Sequence, residues 1–312
     1  MGTPVDAQVN PQAARPKTRR PVPVLPYLLI LPTLVFVAMF TAWPTLQSLY
    51  LSLFRQQLNF AKFRNPVFTG LGNYASLFSN TDFQAVLLHT ALYVLITVPL
   101  SIVLAFLFAL LVNRKGRGIG WARLGFFYPT ILPLVSAATI WLFLFYPGYG
   151  LFNSFLGWFG YLGPQNWTAN PNLALLSISL VAVWKNAGFY MIFYLAGIQN
   201  LPQDVFEAAA LDGANGWQTL WLITFPLLRR TTLFVTTIAF IGAFQSVDQV
   251  FVLTQGGPAG ASNILLYYLW QVRFSFLNVG QASALTVILI VILLAFTITN
   301  FLLSEQSEAN HA

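Results

Sequence analysis

Charged residues punctuate this chain sparsely, and the uncharged gaps between them set its elements. No charge occurs between Arg20 and Arg55, or between Asp82 and Arg114. Arg123 to Lys185 is also uncharged, and within it "YPGYG" and "PQNWTANPN" carry turn residues that split so long a run in two. A further run lies between Arg273 and Glu305, and the stretch from Arg230 to about Gln255 is interrupted only by Asp248. A helix needs roughly 20 apolar residues to cross the hydrocarbon core. The gaps therefore predict six membrane helices, over 24–53, 86–113, 123–146, 173–199, 229–255 and 280–303, and an all-α polytopic fold. Residues 1–23, rich in Pro, Gln and Ala, read as a disordered tail, 24–303 as one transmembrane domain, and 304–312 as a second tail. The first apolar run is too long for a signal-peptide core and no A-x-A site follows it, so it is expected to be retained. No internal repeat is visible.

Composition agrees with a bilayer. Hydrophobic residues make up 57% of the 312 and charged residues 7%, against about 25% charged in a soluble domain. The formal charge of +7 suggests nucleic acid, but the basic residues flank apolar runs instead of forming one face. Their placement predicts orientation instead. Arg15, Lys17, Arg19, Arg20, Arg114, Lys115, Arg117, Arg123, Arg229 and Arg230 fall on one side, and Arg55, Lys62, Arg64 and Arg273 on the other. The positive-inside rule then puts both termini in the cytoplasm. Cysteine is absent and only His89 and His311 could supply imidazole, so no disulfide frame, thiolate chemistry or histidine metal cluster is expected.

One stretch breaks the apolar rule. "EAAALDGANGWQTLWLITFPLL" at 207–228 puts a carboxylate, three alanines and an Asp-Gly turn between two long apolar runs. Pro202 suits the first turn of a helix, and Asp204 and Glu207 then lie near its positive end. Phe206, Ala209, Ala210 and Gly213 recur at helical spacing on one small-residue face. Gly213 fits the left-handed position that stops a helix, and Asn215 with Gln218 forms a candidate capping box for the next. The spacing thus predicts helix, sharp turn, helix on the cytoplasmic side. A plain surface loop would carry the same signals.

These residues carry a resemblance. Glu207-Ala208-Ala209, Gly213, Ile223 and Phe225-Pro226 resemble "EAA---G---------I-LP", the loop signature of permease subunits of binding-protein-dependent ABC importers. Asp212, Gly213 and Ala214 complete a form similar to the carbohydrate branch. So do "FTGLGNYASLF" at 68–78, "VWKNAGFYMIFYLAGIQNLP" at 183–202 and "VDQVFVLTQGGP" at 247–258. The likeness runs in order over roughly 25–303. Phe225 departs from the usual leucine, Arg230 from a common proline, and His89 stands where "NT" often appears. The resemblance implies a type I importer permease fold and a coupling loop at 200–228 that docks on a cytoplasmic ATPase. It also implies two ATPase subunits, a second permease that is usually a different chain, and an extracytoplasmic binding protein. The expected solute is a sugar or related polyol, with amino acids or peptides as the alternative. This sequence has no G-x-x-x-x-G-K-[ST], so ATP and Mg are expected on the separate ATPase, with no cofactor held by this chain. In a bacterial or archaeal cell the site is the inner membrane.

Polar residues inside the spans are the remaining candidates. A mid-bilayer lysine costs roughly 2.5–3.5 kcal/mol, so Lys185 is expected to face a cavity or to be held within the bundle by a structural pair or by carbonyls. Asn186, Tyr190 and Tyr194 share one helical face, and Gln245, Asp248 and Gln249 another; both could line a solute path, while Asp248 could equally be a hydrated helix end. "TQGGP" at 254–258 is expected to stop the fifth helix, with Gly256 and Gly257 free to take positive φ. A proton-coupled transporter would place several carboxylates in its spans, and an intramembrane hydrolase would cluster His, Asp, Glu or Cys at depth. Neither pattern is present.

Overall fold

The computed structural model describes residues 24–114, 116–161 and 165–309. The predicted tail at 1–23, with its four basic residues, Lys115, and residues 310–312 lie outside the described residues. The chain divides into two compact units, Met1–Gln47 and Ser48–Ala312. In the first, helix Val24–Val37 passes through a π turn, Ala38–Ala42, into Trp43–Leu51, where the chain enters the second unit. The π turn precedes Pro44, which brings no N–H to the ladder.

Among the described residues five helices are long and apolar enough to cross a membrane, and a bent pair makes six if its two halves are one span. The second span, Thr81–Val112, begins five residues before the predicted 86. Asn80 fixes its start by accepting from the N–H of Asp82 at 2.7 Å. The fourth, Pro171–Gln199, has Pro171 in its first turn and Asn170 as its cap. These two spans pack along each other, and the fifth, Arg229–Gln245, lies on both as well as on the sixth, Val279–Ala309. Close approach is possible because Ala105, Ala109, Ala182 and Ala239 are buried at the seams, with Tyr93, Ile178, Met191 and Tyr194 filling the core. The sixth helix runs past the predicted tail boundary at 304 as far as Ala309.

Two predicted spans are not single rods. The third divides into Ile119–Ile131 and Leu134–Leu144, which meet at 103°. Pro129 and Pro133 bracket the bend, and Pro133 cannot donate back to the carbonyl of Pro129. The fifth stops at Gln245, passes through extended Ser246, and resumes as Asp248–Leu253. The two halves of the third span hold different neighbours, Ile119–Ile131 the fourth span and Leu134–Leu144 mainly Asp248–Leu253.

Between the spans, sequence reading missed three short helices, Gly72–Phe78, Leu151–Trp158 and Leu265–Trp270, and a two-stranded antiparallel hairpin pairing Phe54 with Phe68. The "GLGNY" stretch has a structural role here. Asn73 is buried and donates to the carbonyls of Ser52 at 2.7 Å and Phe54 at 2.9 Å, while Tyr74 donates to Ser52. "TQGGP" does end the helix, but positive φ falls on Gln255 and Gly256, not Gly257. Ser262 then donates to Thr254 at 2.8 Å, and the Thr90 hydroxyl takes the N–H of Leu265 at 2.8 Å.

Candidate functional site

The loop at 200–228 is built by local capping. Its first helix is Gln203–Leu211, with Pro202 in extended conformation as the N-cap, one position ahead of the expected first turn. Gly213 has φ +77°, the left-handed geometry expected of it. The N–H of Ala214 donates to Ala209 at 2.9 Å and that of Gly213 to Ala210 at 3.2 Å, the paired bonds of a Schellman stop. Asn215 and Gln218 form the capping box, each side chain accepting from the other's N–H at 2.9 Å. A short helical turn, Gly216–Gln218, a π stretch, Thr219–Thr224, and Phe225–Leu227 follow. Backbone groups at the turn are thus paired within the chain.

What this turn displays is apolar. Leu211 is 89% exposed, Leu222 72% and Trp217 70%. Glu207, Ala208, Asp212 and Gly213 are exposed around Leu211, Ala214 and Ile223 are half-buried, Pro226 is exposed, and Ala209 is buried beneath. The expected small-residue face therefore splits, with Ala209 packed inward and Ala210 open. Sequence reading did not single out Leu211 or Trp217, the most exposed apolar side chains of the turn with Leu222. Apolar residues are too common in this chain for either to stand out, and only their place beside the Asp-Gly stop marks them.

The loop is tied into the bundle by rings. Trp217, Trp221 and Phe225 follow one another at 5.6 and 5.4 Å between centroids, and Phe225 reaches Phe106 at 6.0 Å and Phe106 reaches Tyr194 at 5.5 Å. The Tyr194 hydroxyl then donates to Thr232 of the fifth span at 3.2 Å. Beside the loop helix lies a cleft of about 1100 Å³, whose lining includes Gln203, Phe206 and Glu207 of that helix and Asn113, Arg114 and Arg123. The ends of the second and fourth spans and the start of the third therefore share one side of the bundle. Arg123 also donates to the carbonyl of Val112 at 2.9 Å, a cation at the negative end of the second span.

Inside the bundle the two predicted polar faces fare differently. Asn186 and Tyr190 line a small cavity with Tyr93, Thr97 and Ser101, whereas Tyr194 is buried further along the helix with Thr232. Gln245, Asp248 and Gln249 do not share a face, because the break at Ser246 and Val247 resets the helical phase between them. Gln245 and Asp248 are exposed, with Asp248 in the first turn of its short helix. Gln249 is buried and donates to the hydroxyls of Tyr93 and Ser246, each at 2.6 Å, while its Oε1 has no partner. Lys185 is held by carbonyls. It donates to Pro129 at 3.3 Å, to Thr130 at 3.2 Å and to Leu132, all at the break in the third span. His89 keeps a buried Nδ1 without a partner.

The interior offers neutral amides and hydroxyls, and the loop displays apolar side chains on a turn closed by its own capping bonds. Fold and site together define the class of polytopic transport permeases. Residues 70–305 match the family described as "Binding-protein-dependent transport system inner membrane component", and the chain belongs to it. It is a multi-pass inner-membrane permease. It is 34% identical over 287 residues to the sn-glycerol-3-phosphate transport system permease protein UgpA of Agrobacterium fabrum, covering 92% of this chain and 96% of that one. It is 33% identical over 277 residues to the trehalose/maltose transport system permease protein MalF of Thermococcus litoralis, covering 88% and 91%. The fold matches a chain of a bacterial ABC transporter involved in the import of the acidic polysaccharide alginate, with a TM-score of 0.78 at 21% identity over 90% of this chain and 95% of that one.

Proposed function

We propose that this chain is the permease subunit of an ATP-driven importer for an uncharged carbohydrate or polyol. It pairs with a second, different permease, receives solute from an extracytoplasmic binding protein, and docks the 200–228 loop on one of two cytoplasmic ATPase subunits. Both termini lie in the cytoplasm. ATP and Mg stay on the ATPase, and this chain transmits the movement.

The observation that carries the reading is the loop itself. A turn closed by its own capping bonds holds Leu211 at 89% exposure, on the same side of the bundle as Arg114 and Arg123. An apolar knob on a rigid polar loop is stabilised by a partner's pocket, and burying a leucine contributes about 1.5–3 kcal/mol. Glu207, which shares its cleft with Arg114 and Arg123, contributes to that surface from its rim. The relatives are named for glycerol phosphate and for trehalose/maltose. The interior favours the neutral class. Lys185, the mid-span cation, has its donors engaged by backbone, and the cavity, at about 10 Å³ the size of one water in this conformation, is lined by Tyr93, Thr97, Ser101, Asn186 and Tyr190. Polyhydroxylated solutes match such donors and acceptors, and a phosphate would need an available cation.

The test is binding-protein-dependent uptake in proteoliposomes holding the permease pair and its ATPase. Labelled neutral disaccharide is expected to enter only with ATP, and Leu211→Asp is expected to abolish entry while leaving permease abundance intact. Entry driven by a proton gradient without ATP would sink the reading.

A further inference from the structure

We propose that Lys185 is a tethered cation that pins the joint of the third span, and thereby a positioning residue for transport. In an unbroken helix the Pro129 carbonyl would accept from the N–H of residue 133, but that residue is proline. The helix stops at Ile131 and the chain turns by 103°, so the carbonyls of Pro129, Thr130 and Leu132 are turned away from a helical ladder. Lys185 reaches all three from the fourth span. Three acceptors match the three donors of an ammonium group, and the end of helix Ile119–Ile131 adds the negative pole of its dipole.

Two other contacts make this a joint and not an isolated bond. The Thr130 hydroxyl donates back to the carbonyl of Lys185 at 3.0 Å. One turn along the fourth span, a Cβ on Gly188 would overlap the carbonyl oxygen of Phe126, so the two backbones touch there. Ile119–Ile131 is thus fastened to the fourth span. Leu134–Leu144 is seated chiefly on Asp248–Leu253, the segment that carries Gln249. Lys185 sits where one half hands over to the other, and the bend it holds sets where the outer half stands.

The structural claim is independent of the transport reading, and the transport consequence rests on it; the two are measured separately. In the purified permease, backbone hydrogen exchange is followed at residues 137–140, the first amides of the outer half with helical acceptors, beginning with Ala137 to the carbonyl of Pro133 at 3.0 Å. Lys185→Ala is expected to speed exchange there by about ten- to hundredfold, the effect of losing one charge-assisted hydrogen bond or more, with residues 174–182 unchanged. Methylammonium, which fits the space left by the lysine end, is expected to slow exchange again; methanol at the same concentration is not. Lys185→Met fills the space and is expected to exchange fast with no response to methylammonium. Unchanged exchange in Lys185→Ala, or equal rescue by methanol, overturns the tethered cation. If Lys185→Ala does not accumulate, Lys185→Gln, which keeps two donors, is expected to exchange at an intermediate rate, and a wild-type rate overturns the proposal. For positioning, Lys185→Met is expected to lose uptake at normal abundance, and full uptake with fast exchange overturns that role. Failure of the wild-type chain to move any neutral sugar would count against the proposed solute and leave the exchange result standing.

Discussion

Gly213 allows conformation and volume to be separated at the loop. Its φ is +77°, and a Cβ built there meets nothing within 4 Å. A side chain therefore costs nothing in packing within this chain and pays only for left-handed backbone, about 1–2 kcal/mol. Leaving that geometry relieves the strain but gives up the two bonds from Ala214 and Gly213. If docking requires the intact turn, Gly213→Ala lowers the equilibrium constant for holding it by a factor of about 5–30, and the apparent Kd for the ATPase rises by up to that factor. Asparagine tolerates the left-handed region better than alanine although it is larger. Gly213→Asn is therefore expected to bind more tightly than Gly213→Ala. Binding of purified ATPase to immobilised permease in detergent measures both, with membrane abundance as the control. A contact limited by volume gives the opposite order, and that order, or a neutral Gly213→Ala, would refute the reasoning.

Other consequences are more local. Single cysteines at Asn215 and Asn170 are expected to label from opposite faces of the membrane, against a background with no native cysteine; labelling from one face would overturn the six-span map. Gly188→Ala is expected to lower thermal stability by several degrees or to prevent accumulation, since the backbone of Phe126 occupies the space; an unchanged melting temperature would remove that close approach. Asn186→Ala is expected to raise the half-saturation concentration for solute without weakening ATPase binding, and an effect on ATPase binding alone would take Asn186 out of the path. Phe225→Ala, which opens the ring contacts to Phe106 and Trp221, is expected to reduce uptake more than ATPase docking; the reverse order would place Phe225 at the docked surface.

The parts of this molecule that could be read in advance are those set by local rules. Span lengths follow from uncharged runs, and the stop at Gly213 and the box at Asn215 and Gln218 follow from residues within a few positions of one another. The break in the third span also had a local signal, in Pro129 and Pro133, but the uncharged length masked it. The break in the fifth span had none. "FQSVDQV" contains neither glycine nor proline, and Gln249 there bonds to Tyr93, far away in sequence. That interruption also undid the shared face expected of Gln245, Asp248 and Gln249. Lys185 shows the same limit. Its position announced a need for partners, and only the fold could show that the backbone carbonyls of the third span supply them. Leu211 was invisible for the opposite reason, because one more leucine means nothing until its neighbours turn out to be solvent.

The coupling claim is tested most directly where the knob stands. A photoreactive phenylalanine analogue at position 211, introduced into the full chain in its native membrane, reports what touches that surface. On irradiation it is expected to yield one dominant covalent product containing an ATPase subunit, identified by peptides from its phosphate-binding G-x-x-x-x-G-K-[ST] loop, and the same analogue at position 170, which the proposed orientation puts outside, is expected not to. Crosslinks at 211 to lipid alone, or a product without an ATPase, would contradict the account.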